Sequence, residues 1–216
     1  MKISQEINLS EYTPIERVRE IMGRNLISPL QVEKLLGHHF SPHSKSKYVP
    51  FSEEFLMMNS QDRILIKGIP LTAEELYKES LKINPHLYNI FSDSWFIKEK
   101  HIIRERIDPV WYFIQKKVNP LSLNKTCEEA EDLLGENEEM PRACEIFYEV
   151  LLYYLATHRY LFRGVYPFSL DVFLGNHLLV GFFPEKTDDP PNQLDIRYYA
   201  NVFKKENIGI ISMIKR

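Results

Sequence analysis

The chain has 216 residues, with 27 basic and 30 acidic side chains, a formal net charge of −3 and an apolar content of 44%. That apolar content is too high for an intrinsically disordered chain, and eight glycines are too few for a collagen-like or low-complexity one. The slight acidic excess excludes bulk attraction to nucleic acid or to an anionic membrane. A chain of this length buries enough surface to fold without disulfides or metals, and we expect one domain over residues 1–216.

The sequence has no recognisable targeting or membrane-spanning signal. Residues 1–10 lack the charged-then-apolar order of a signal peptide. The longest apolar stretch, 146–156, contains Glu149 and is too short to cross the ~30 Å hydrocarbon core of a bilayer. Cys127 and Cys144 have no CxxC spacing, which is typical of a chain kept in a reducing compartment. We therefore predict a soluble cytoplasmic protein.

Helix starts are the clearest local signal. In a capping box, a Ser or Thr side chain caps the helix and a Glu or Gln three residues later bonds back. This pattern begins at Thr13, Ser28, Thr72 and Thr126. It predicts helices near 14–22, 29–36, 73–83 and 127–134. Pro109 after Asp108 predicts another helix near 109–118, and a weaker signal predicts one near 53–58.

The longest predicted helix covers residues 142–162. It is apolar on almost all sides, so we expect it to pack centrally. Its few charged residues are Arg142, Glu145, Glu149 and Arg159, which fall on one stripe. The placement of Glu145 and Glu149 beside Arg142 favours ion pairs at the surface over a pair of catalytic carboxylates.

Strand signals are fewer. A weak alternation covers 63–67, two apolar runs around Gly175 predict a hairpin at 170–183, and a β-branched run predicts a strand at 208–214. Segment 192–206 fits a helix or a strand, and its charge placement favours the helix. We therefore expect an α+β fold with a predominantly helical body and a small, mainly C-terminal β element.

A polar loop at 38–50 follows the first two predicted helices. It would join an N-terminal helical hairpin subdomain, residues 1–40, to the rest of the single domain.

His38, His39 and His43 form the densest histidine cluster. Three imidazoles and a water would suffice for a catalytic zinc site. Pro42 prevents His39 and His43 from sharing one regular helix face, and a carboxylate would have to come from elsewhere. A solvated loop is the favoured interpretation, and a metal-dependent hydrolase or nuclease is the alternative function.

A basic segment interleaved with aromatic residues offers a second alternative. Its cations are Lys98, Lys100, Arg104 and Arg106. Cations among aromatic residues are typical of single-strand nucleic acid binding, because bases stack while phosphates pair. Glu99 and Glu105 dilute this charge, so a salt-bridged surface is favoured over nucleic-acid association.

Aromatic and acidic residues of the second half are candidates for contacts with a protein partner. They are Tyr198, Tyr199, Glu136, Glu138 and Glu139. Tyrosines are enriched in interfaces because they bury area and keep a polar group. The sequence has no Gly-rich phosphate loop, HExxH, GxSxG or zinc-type cysteine pairs, so it indicates no cofactor or small-molecule ligand. The leading hypothesis is therefore a non-catalytic protein that binds another protein or itself, with no membrane partner.

Overall fold

The computed structural model describes residues 12–37, 47–85, 104–183, 193–200 and 204–216. It is 38% helical and 27% strand, and the strands are spread along the chain in three sheets. The expectation of a predominantly helical body with a small β element, made of hairpin 170–183 and strand 208–214, is therefore wrong.

The described part of the chain contains the following elements. The helices are α1 (Ile15–Met22), α2 (Pro29–Leu36), α3 (Glu53–Asn59), α4 (Ala73–Ile83), α5 (Cys127–Glu131) and α6 (Ala143–Thr157). The strands are β1 (Thr13–Pro14), β2 (Leu26–Ile27), β3 (Tyr48–Val49), β4 (Arg63–Lys67), β5 (Trp111–Gln115), β6 (Tyr166–Phe173), β7 (Asn176–Phe183), β8 (Gln193–Ala200), β9 (Ile208–Gly209) and β10 (Met213–Lys215).

Three of the four predicted capping boxes are present. Ser28, Thr72 and Thr126 each accept a backbone N–H through the side chain, and the Gln or Glu three residues later accepts the N–H of the capping residue. The fourth is absent, because the Thr13 hydroxyl donates instead to the carbonyl of Phe51 at 2.6 Å. Helix α1 consequently starts after Pro14 without a side-chain cap.

The central sheet has the strand order β10-β5-β4-β2, with β2 parallel to β4 and the other pairs antiparallel. Its two faces bury different cores. Ile64, Ile66 and Ile114 belong to the main core around α6. Leu65 and Phe113 belong to a second core that includes residues of α1 and α3. The sheet is therefore covered by helices on both faces.

Strand β5 corrects the predicted helix at 109–118. Residues 111–114 are buried on both faces of the sheet, so they form a continuous apolar run with no visible alternation. Pro109 follows Asp108 as it would at the start of a helix, but the structure has a bend at this position.

The C-terminal sheet has the strand order β8-β7-β6-β9. Leu178 and Val180 of β7 pack in the main core with α6. Phe168 and Leu179 face the other way, into a third core with Cys127 of α5. Helix α6 thus lies between the two four-stranded sheets and is buried along most of its length, as its composition predicts.

Strand β8 corrects the preference for a helix at 192–206. It pairs with β7 along all eight of its residues, from Gln193 to Ala200. Alternating apolar residues (Leu194, Ile196, Tyr198) are the informative signal here, and the charges at the two ends of the segment are misleading.

The subdomain boundary at 1–40 stays a prediction, because residues 38–46 of the polar loop lie outside the described residues. None of the described helices combines the length and apolar composition that crossing a lipid bilayer requires.

Gly68 permits a close approach between two segments. Its N–H donates to the carbonyl of Val110 at 2.8 Å. A Cβ at this position would lie 1.9 Å from the Asp108 carbonyl oxygen and 2.5 Å from the Tyr112 ring. Only glycine therefore fits where β4 ends.

We expect Gly68→Ala to lower the free energy of unfolding by about 2–3 kcal/mol, because the Asp108 backbone has to move. The measurement is urea unfolding followed by tryptophan fluorescence. Gly164→Ala is the control: its Cβ would have nothing within 4 Å, and its positive φ of 75° makes us expect a loss of about 1 kcal/mol. Equal losses in the two variants would contradict the packing described at Gly68.

Candidate functional site

Charged, polar and aromatic side chains are concentrated in two regions of the described chain. The first, the buried ionic cluster, lies between α6, β4 and the C-terminal strand and consists of Arg63, Glu138, Glu145, Glu149, Ser212 and Lys215. The second, the β8 edge, consists of Arg197, Tyr198, Tyr199, Ala200, Lys204 and Lys205.

Arg63 links three separate parts of the chain. Its guanidinium donates to the Ser212 hydroxyl at 2.9 Å, to the Phe113 carbonyl at 3.2 Å and to the Glu138 carboxylate, although the side chain is only 7% exposed. The Ser212 hydroxyl in turn donates to Glu138 at 2.8 Å. Burial raises the pKa of Glu138, but the Arg63 charge and these hydrogen bonds outweigh it and hold the pKa below its ordinary value.

Lys215 makes the second link. Its ammonium group lies 2.8 Å from a Glu145 carboxylate oxygen and 2.9 Å from one of Glu139. Glu145 also accepts from the backbone N–H and the guanidinium of Arg142. Burial lowers the pKa of Lys215, and the two glutamates more than offset this and raise it. The ion pairs therefore hold β10 against the start of α6.

Glu149 lies one turn beyond Glu145 and is completely buried. Neither of its carboxyl oxygens has a hydrogen-bond partner among the described residues. Burial raises the pKa of Glu149 well above its ordinary value, and the nearby Arg63 only partly opposes this. The predicted surface location of Glu145 and Glu149 is therefore wrong, since the stripe faces strands that cover it.

The buried ionic cluster has the composition of an acid–base site and the surroundings of a structural one. Arg63 and Lys215 are each held by carboxylates, and their side chains are 7% and 27% exposed. General acid–base catalysis needs a group within hydrogen-bond reach of a substrate. Over the ranges that the structure describes, no three His, Cys, Asp or Glu side chains converge as metal ligands. The contacts of this cluster anchor the C-terminal strand.

The two cysteines are buried and protonated. Burial raises the pKa of Cys127 to about 12, and it also raises that of Cys144, whose sulfur lies 3.4 Å from a Glu105 oxygen. A nucleophilic cysteine needs a lowered pKa and access to solvent. Neither cysteine meets these conditions.

The β8 edge is the outermost strand of the C-terminal sheet as far as the structure describes it. At its end a surface depression of about 450 Å³ is lined by Tyr198, Tyr199, Ala200, Lys204 and Lys205. The strand alternates between two environments, because Tyr198 pairs with Leu178 on one face and Tyr199 pairs with His177 on the other.

Cations and aromatic rings are combined at this edge. The Lys205 ammonium lies 5.3 Å from the centre of the Tyr199 ring, within cation–π range. On the opposite face, the Tyr198 ring lies 5.3 Å from that of Phe173. Lys204 contacts Glu129 of α5 at 2.7 Å. One face of the edge is therefore cationic and aromatic, and the other is aromatic and apolar.

The structure places the predicted acidic residues in different settings. Glu136 is exposed, while Glu138 and Glu139 contact Arg63 and Lys215. The described contacts of Glu138 and Glu139 are thus within the chain.

The predicted basic segment is described only in part. Lys98 and Lys100 lie outside the described residues, as do His38, His39 and His43. Arg104 is exposed. The Arg106 guanidinium donates to the Pro70 carbonyl, just before α4, and to Glu75 in α4.

The candidates taken from the sequence include the two tyrosines of the β8 edge but not the basic residues around them. A signal exists, since Arg197, Lys204 and Lys205 flank the tyrosines in the sequence. Arg63, Ser212 and Lys215 of the buried ionic cluster carry no such signal, because they meet only in the folded chain.

No family model, no curated protein and no solved structure matches this chain.

We expect Glu149→Gln to change the pH dependence of stability. The folded chain holds the Glu149 proton, so folding becomes less favourable as pH rises from the ordinary carboxyl range towards the raised pKa. Each pH unit in that interval costs up to about 1.4 kcal/mol, and the variant removes this slope. The measurement is the unfolding free energy at pH 5 and pH 8. A variant with the same pH slope as the unsubstituted chain would contradict the buried, protonated state of Glu149.

Glu138→Gln should act in the opposite direction. Because the pKa of Glu138 is lowered, its ionised form stabilises the fold above the ordinary carboxyl pKa, and this stabilisation is lost as pH falls through the lowered value. We expect a loss of about 3 kcal/mol at neutral pH, from the unpaired Arg63. In urea unfolding the loss should shrink under acid conditions. Glu136→Gln, at an exposed position, is the control and should change stability by less than about 0.5 kcal/mol.

Proposed function

We propose that this chain is a non-catalytic binding protein that associates with another polypeptide through the β8 edge. The observation that carries the proposal is the combination of an outermost strand with Tyr198, Tyr199 and Lys205 around a surface depression. An extended segment can add to an exposed sheet edge, where main-chain hydrogen bonds give affinity and alternate side chains give specificity.

The two faces of the edge define the chemistry of the added segment. Residues of a new strand would alternate between the cationic face, with Arg197 and the Lys205–Tyr199 pair, and the apolar face, with Tyr198 and Ala200. The best match is a segment in which acidic and apolar residues alternate.

A protein partner suits this edge better than a nucleic acid. Stacked bases and paired phosphates would also use tyrosines and lysines. However, an added strand would also hydrogen-bond to the main chain of β8, which a nucleic acid leaves unused.

No observation in the described residues favours the two alternative functions. The hydrolase or nuclease hypothesis depends on His38, His39 and His43, which lie outside them. In the basic segment, Arg106 is already engaged by α4.

The proposal predicts binding of a fluorescein-labelled peptide of alternating Glu and Val residues, measured by fluorescence anisotropy with the full chain. Tyr198→Ser should weaken this binding about tenfold, because it removes the exposed ring from the apolar face. Tyr48→Ser, at a tyrosine that is 54% exposed on a different sheet, is the matched control and should leave the affinity unchanged.

Two further probes separate the possibilities. A peptide of the same composition with its Glu and Val residues in separate blocks should bind poorly, because it cannot match the two faces. A labelled oligothymidylate should also bind poorly. Equal binding of the block peptide, or stronger binding of the oligothymidylate, would contradict association by strand addition.

A further inference from the structure

We infer that the segment that adds to the β8 edge is the C-terminal end of a polypeptide, with its free carboxylate held by Lys205 and Lys204. This inference rests on the proposed function, because it uses the same edge and names the part of the partner that binds there. The bound chain end would run parallel to β8 and stop where β8 stops, at Ala200.

The surface depression lies at one end of the edge. Strand β8 ends at Ala200, and Lys204 and Lys205 line the depression together with Tyr198, Tyr199 and Ala200. An added segment can form ladder hydrogen bonds only as far as β8 extends. It therefore reaches the two lysines at the point where its strand pairing ends.

The charge at this point determines which part of a polypeptide fits there. A C-terminus brings a carboxylate, which the two lysines attract, and an N-terminus brings an ammonium group, which they repel. An uninterrupted segment brings only neutral main chain. A C-terminus placed beside Ala200 gives the added segment the direction of β8. Parallel pairing already occurs in this sheet, between β6 and β9.

Lys205 can accept the carboxylate without giving up its present contact. Its residue is exposed, and its ammonium group lies 5.3 Å from the centre of the Tyr199 ring. No carboxylate within the described ranges forms an ion pair with it. An ammonium group has three N–H donors, so contact with one ring face leaves donors for an anion.

Lys204 is shared with a carboxylate of its own chain. Its ammonium group lies 2.7 Å from a Glu129 oxygen, and the two side chains are 49% and 45% exposed. The hydrogen bond from Lys204 lowers the pKa of Glu129, so this carboxyl group is ionised at neutral pH. Glu129 therefore competes with an incoming carboxylate for Lys204, and Lys205 is the principal anion ligand.

The test compares two alternating Glu and Val peptides labelled with fluorescein at the N-terminus, one with a free C-terminal carboxylate and one with a C-terminal amide. Binding to the full chain is measured by fluorescence anisotropy. We expect amidation to weaken binding about fivefold, the upper range for one solvent-accessible ion pair. An amidated peptide with one further Glu at its N-terminal end has the net charge of the free-carboxylate peptide and should not recover the loss.

Lys205→Gln tests where the carboxylate binds. It should reduce the preference for the free carboxylate to less than about twofold, because the ammonium group that holds the anion is removed. Lys78→Gln is the matched control: this lysine is 65% exposed on α4 and paired with Glu74, and its loss should leave the preference unchanged. Circular dichroism checks that both variants are folded.

Glu129→Gln tests the competition for Lys204. It should strengthen binding of the free-carboxylate peptide about threefold and leave that of the amide unchanged. A glutamine oxygen can still accept the Thr126 N–H, so the cap of α5 is kept. Glu131→Gln, at an exposed position on the same helix, changes the net charge equally and should have no effect. Unchanged binding in Glu129→Gln would contradict the competition.

The outcomes separate this inference from the proposed function. If both peptides bind equally and in a Tyr198-dependent way, the chain end is wrong as the occupant and the β8 edge stands. If neither peptide binds, both are wrong. A preference for the free carboxylate that survives Lys205→Gln would overturn the inference. A preference that disappears in this variant and persists in Lys78→Gln supports both.

Discussion

The structure depends on the burial of helix α6 between two four-stranded sheets. Most of this helix is inaccessible to solvent, including two glutamates one turn apart. A buried charge is costly unless it is paired, so each of these two carboxyl groups must be neutralised. Glu145 is neutralised by Lys215 and Arg142, and Glu149 by retaining its proton.

This constraint explains why the C-terminal residues are part of the core. Ser212, just before β10, and Lys215, within it, supply polar groups to the buried ionic cluster, and the main chain of Met213 exchanges hydrogen bonds with that of Glu139. The edge of the central sheet is thereby fixed to α6. The cluster resembles catalytic machinery in composition, yet each of its cations is engaged in holding strands together.

The sequence predicts those parts of the fold that local interactions determine. Helix α4 has the predicted bounds, because the Thr72 cap, the amphipathic spacing and the end of the helix all lie within a dozen residues. Strands β5 and β8 are misassigned, because their identity depends on distant partners, such as β4 for β5. The burial of Glu149 likewise depends on residues that are distant in the sequence. The nearby Arg63 donates a hydrogen bond to Ser212, and these two residues are separated by 149 positions in the chain. Of the candidate site, the sequence indicates the tyrosines, but not the strand edge that presents them.

With α6 on one face of the C-terminal sheet and α5 near the other, we propose its outermost described strand as the surface for association. Hydrogen–deuterium exchange of the β8 backbone amides, 193–200, measured at increasing concentrations of the alternating Glu and Val peptide, tests this proposal most directly. We predict that exchange slows as the peptide concentration rises, with the change confined to β8 and the residues beside it. Exchange at the same rate at every peptide concentration would contradict the proposal.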